Sequence, residues 1–166
     1  MKRWVMALLV AAGIAGSGLA ADPQWAVTFT LSGAPFLGVE VGWPVSDRAQ
    51  ARAGVALGVE VQAETTTWVL WGRTALMAHA SSMGEPSPFI GGGVSVLLAP
   101  LGTGPSGRPP QAWETLELPL GMRWPLAAGP CVLGEIRLAL PWLDPLFGRE
   151  FSAFLLPLGI TMGVAF

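Results

Sequence analysis

The sequence has no tyrosine, one cysteine and one histidine, and only 12% of its residues are charged. Lysine does not recur after Lys2. Each shortage closes off a class of function. A lone histidine and a lone cysteine cannot supply the ligands of an ordinary His/Cys metal site. Cys131 has no partner for an internal disulfide. No second long apolar run follows the first, so helical membrane spans are excluded. Taking Lys2 and Arg3 from the nine basic residues leaves seven, against eleven acidic ones. The remaining chain is mildly acidic and has no basic patch for nucleic acid. No residue pattern implies a cofactor.

The first twenty residues are of a different character. Met1-Lys2-Arg3 is basic, residues 4–15 are apolar, and Gly18-Leu19-Ala20 fits a small-x-small cleavage pattern. We expect residues 1–20 to be a secretory signal peptide, cleaved after Ala20 or Ala21. The apolar run falls short of the ~20 residues of a span. No cysteine follows it, so a lipoprotein attachment site is absent. Residues 21–166 are expected to form one domain.

What is abundant is glycine, at 22 residues, proline, at 15, and alternation. The chain's end shows it best. Phe154, Leu156, Leu158, Ile160, Met162, Val164 and Phe166 fall on one face of a strand, and mostly small residues fall on the other. The small face is too weakly polar to be a good water-facing surface. Bulk toward lipid and small residues toward a crowded lumen fits the pattern. Similar alternating segments recur at 25–31, 36–43, 51–62, 67–77, 88–98, 113–124 and 131–140, separated by Pro/Gly/Ser/Asp clusters. Including 154–166, this predicts an all-β, antiparallel up-and-down transmembrane barrel of about eight strands.

Two further patterns follow from the alternation. The small face carries Glu40, Arg52, Glu60, Arg73, Glu117, Arg123, Glu135 and Arg137, four acids against four arginines. In a low-dielectric lumen these charges are expected to pair. Aromatic residues mark strand ends. Trp25, Trp43, Trp124 and Phe166 fall at the rim that carries the termini. Phe36, Trp68, Trp113, Trp142 and Phe154 fall at the opposite rim. We read these as aromatic girdles.

The ending Leu158, Ile160, Met162, Val164 and Phe166 resembles the closing strand of bacterial outer-membrane proteins. That resemblance implies recognition by the barrel-insertion machinery. With Pro88-Phe89-Ile90-Gly91-Gly92-Gly93-Val94, an aromatic-plus-glycine strand opening, the chain resembles the small outer-membrane barrels of the OmpA transmembrane domain, OmpX and OmpW kind. The resemblance implies an outer-membrane location, lipid as surroundings, and a structural or interaction role. An extracellular ligand or partner would bind through loops 99–112 and 141–150. The lack of tyrosine departs from this group, whose girdles usually use it.

Three other functions are compatible with the sequence. A wet lumen would make a small-solute channel. His79-Ala80-Ser81 resembles the His-x-Ser pair of the lipid A deacylases, with Glu85 as the accompanying acid. A soluble periplasmic barrel with an apolar ligand inside requires Leu116, Leu118 and Leu120 to face inward.

Overall fold

A computed structural model of the chain describes residues 22–62, 65–82, 84–99, 111–127, 129–141 and 158–166. The expected signal peptide, most of both long loops, Trp142 and residues 154–157 lie outside the described residues. The described residues form eight strands: β1 (Gln24–Ser32), β2 (Ala34–Ser46), β3 (Ala49–Gln62), β4 (Thr65–His79), β5 (Ser87–Ala99), β6 (Gln111–Pro125), β7 (Cys131–Pro141) and β8 (Leu158–Ala165). They pair in chain order, every pair antiparallel, and β1 pairs with β8 to close a barrel. Closure leaves no sheet edge with unpaired backbone groups.

The period-two pattern sets the facing. Val27, Phe29 and Leu31 of β1 point out, while Ala26, Thr28 and Thr30 point in and are buried. The same holds in β8, where Leu158, Ile160, Met162 and Val164 point out and Thr161 points in. The outer wall is therefore a belt of valine, leucine and isoleucine. Polar and small residues face the interior, the reverse of a soluble barrel.

Both ends of the strand series meet at one rim. Trp25 and Phe166 exchange backbone hydrogen bonds, at 3.2 Å from the Trp25 amide and 2.7 Å from the Phe166 amide. We call this the near end. The segments joining β2 to β3, β4 to β5 and β6 to β7 lie there. The turn at Gly33 lies at the far end, where β5 and β7 end and β6 and β8 begin.

The strands run further than the alternation suggests. The β1–β2 turn contracts to Gly33, whose φ of 74° favours glycine. Pro35 is already paired with Leu31. Pro44 also lies inside a strand, where a register shift between Pro44 and Ser46 accommodates it. β4 continues to His79, two residues beyond its expected end.

The interior is stratified. At the far end Ala34, Phe36, Ala56, Val69, Trp71, Leu97, Ala99 and Ala139 form an apolar layer. Charged side chains fill the middle. Toward the near end, Ala75, Met77 and Phe89 form one apolar cluster, and Ala26, Cys131, Leu133 and Ala165 another. Phe36 belongs to this interior and not to a girdle. It alternates with the outward Leu37, and its ring meets Trp71 edge-on at 5.7 Å.

Candidate functional site: the packed interior

Arg73 is the centre of the charged layer. β4 aims it inward between Trp71 and Ala75. Its guanidinium lies 2.8 Å from Glu135, 3.4 Å from Glu40 and 3.7 Å from Glu117. Glu117 also accepts a hydrogen bond from Arg137 at 3.2 Å, and Glu135 lies 3.5 Å from Arg52. One network thus joins β2, β3, β4, β6 and β7 across the lumen. Its members are almost wholly buried. Charges in such a medium persist only when opposed, because desolvation is costly and attraction is weakly screened.

Aromatic rings flank the cations. The Arg137 guanidinium carbon lies 3.9 Å from the centre of the Trp71 ring, and that of Arg73 lies 5.5 Å from it. Arg52 lies 5.0 Å from the centre of Phe89. These distances suit cation–π attraction. Sequence reading took in the charges and missed these rings. A signal was present, since Trp71 shares the inward face of β4 with Arg73. The meeting of Trp71 with Arg137 on β7 left no mark in the sequence.

The expected one-to-one pairing is not what forms. Arg73 takes three glutamates, and Arg123 has no carboxylate within ion-pair distance among the described residues. Arg123 instead donates from Nε to Cys131 Sγ at 3.2 Å and from Nη2 to Gln24 Oε1 at 3.1 Å. The barrel's width and strand stagger decide which charges meet, and they gather three acids on one arginine. The Glu60 side chain lies outside the described residues.

Of the aromatic positions, Trp25, Trp124 and Phe166 are exposed at the near end and Trp43 is half-buried there. Trp68 is exposed toward the far end. The Trp113 side chain lies outside the described residues.

His79 is no solvated turn residue. It ends β4 on the inward face, is 5% exposed, and its ring lies 5.5 Å from that of Phe89. Neither ring nitrogen has a hydrogen-bond partner among the described residues. The Ser81 amide instead donates to Ser87 Oγ at 2.9 Å, and Glu85 is exposed. His79, Ser81 and Glu85 are not assembled into a relay.

No protein-family model matches the chain, and no curated protein sequence does. Solved structures match it in shape. The N-terminal β-barrel domain of Pseudomonas aeruginosa OprF aligns with a TM-score of 0.65 at 11% identity, over 87% of this chain and 96% of that one. The chain has the fold of the small outer-membrane barrels. Neisserial surface protein A aligns with a TM-score of 0.57, again at 11% identity, over 86% of this chain and 92% of that one. At such identity the likeness is one of fold.

Proposed function

We propose that the protein is an outer-membrane barrel with a structural or interaction role and a lumen closed to solutes. The observation that carries this reading is Arg73 bridging three glutamates across the lumen, beneath the apolar layer of Phe36 and Trp71. An eight-strand barrel is only just wide enough for side chains to fill. The belt of outward Val, Leu and Ile side chains suits lipid. Residues 1–20 act as the cleaved export signal, and Leu158, Ile160, Met162, Val164 and Phe166 as the ending that the insertion machinery reads. The segments 99–112 and 141–150 offer the surface for an external partner.

The facing disfavours a soluble carrier of apolar ligands. Leu118 and Leu120 point outward, and the middle of the interior is ionic. The unassembled His79, Ser81 and Glu85 give a lipid-modifying enzyme no support. The test is conductance. Purified protein in a planar bilayer is expected to pass little steady current, and Glu117→Ala or Glu135→Ala more. Large, stable single-channel steps from the wild type would make the channel reading the better one. Fractionation tests the location separately, and recovery in the soluble periplasm would refute it.

A further inference from the structure

Arg123 has no carboxylate partner among the described residues. Four buried arginines (Arg52, Arg73, Arg123 and Arg137) face three buried glutamates (Glu40, Glu117 and Glu135) among the described side chains, a surplus of one. The Glu60 backbone is remote from Arg123. It sits eight residues past Arg52 on β3, roughly 26 Å along the strand at ~3.3 Å per residue. Arg52 and Arg123 line one cavity toward the near end, together with Gln24, Gln50, Cys131 and Glu40. Glu40 is engaged by Arg73 at 3.4 Å, and the Glu135 that meets Arg52 is shared with Arg73. Gln50 Oε1 is taken by Arg52 Nε at 3.0 Å, and Gln24 Oε1 by Arg123. Arg123 Nη1 is buried with no hydrogen-bond partner among the described residues. A buried guanidinium in that state is strongly unfavourable unless an anion answers it.

We propose that this cavity binds one small inorganic anion of chloride's size, held between Arg123 Nη1 and Arg52. The narrow space between the two guanidiniums suits a single-atom ion. Charge sets the valence, because the surplus is one and Glu40 also lines the wall. Gln50 Nε2 already donates to Gln24 Oε1 at 3.4 Å, so the two guanidiniums are the donors to the guest. The site depends on the interior charges alone and would exist whichever membrane holds the barrel.

Chloride NMR line broadening tests this on the refolded full barrel in zwitterionic detergent. Sodium gluconate holds the ionic strength constant. Folded wild type should broaden the chloride line beyond its urea-unfolded form, and bromide should displace the excess. Arg123→Gln, checked for folding by its heat-modifiable band, should lose that excess. Equal broadening by folded and unfolded wild type would overturn the assignment, and so would an undiminished excess in folded Arg123→Gln. If Arg123→Gln does not fold, the wild-type comparison decides alone. A bromide-displaceable excess supports the site, and its absence overturns it.

Discussion

Among single residues, Arg73 and Arg137 look alike in sequence and differ in consequence. Both are buried arginines on inward faces that contact Glu117 and lie over Trp71. Arg73 also holds Glu40 and Glu135. Arg73→Ala would leave three carboxylates facing one another in low dielectric, with only Arg52 and Arg137 nearby to oppose them. Breaking a buried pair costs about 3–5 kcal/mol. We expect Arg73→Ala to lose at least that much, and Arg137→Ala less, because Glu117 keeps Arg73. Urea unfolding in phospholipid vesicles, followed by tryptophan fluorescence, gives the order. Equal losses would mean that Arg73 is not the hub.

Among the strands, β5 is the informative one. Gly91 and Gly92 sit where its pairing with β6 lapses opposite Pro119, which has no N–H to give a ladder, and pairing resumes between Gly93 and Glu117. The three glycines are not equivalent. A Cβ on Gly93 would meet the Thr74 carbonyl oxygen and the Ala75 backbone, whereas one on Gly92 would meet nothing within 4 Å. Backbone cannot yield as a flexible side chain can. Gly92→Val should fold normally, since it adds a β-branched residue to the apolar outer wall. Gly93→Val should lower the folded, heat-modifiable band on an unboiled gel. Two variants that fold equally well would contradict the close approach of β4 and β5.

For the whole barrel, the arrangement of tryptophans predicts a fluorescence pattern. Trp25, Trp68 and Trp124 are exposed on the outer wall near the rims, whereas Trp71 is 2% exposed inside it. Each can be isolated in a single-tryptophan variant with phenylalanine at the other positions. In vesicles of brominated lipid, bromines near the headgroups should quench Trp25 and Trp124 more than bromines deep in the chains do. Trp71 should be quenched little by either. Strong quenching of Trp71 would mean that β4 faces the other way.

The alternation of Cβ atoms is a local property of extended backbone, so the chain alone specified which side chains face in and which face out. Strand number, the outward belt and the inward charges all followed from it. The places where the reading erred were places where alternation was not carried far enough. His79 continues the inward series Ala75 and Met77, and Phe36 shares its face with Gly38. Which inward groups meet was another matter. Arg73 on β4 touches Glu135 on β7, Arg137 on β7 covers Trp71 on β4, and Arg123 is left without a carboxylate among the described residues. Such partners lie on strands that are not neighbours. Their distances depend on the radius of the closed barrel and on the stagger accumulated around it. No period within a single strand encodes either quantity.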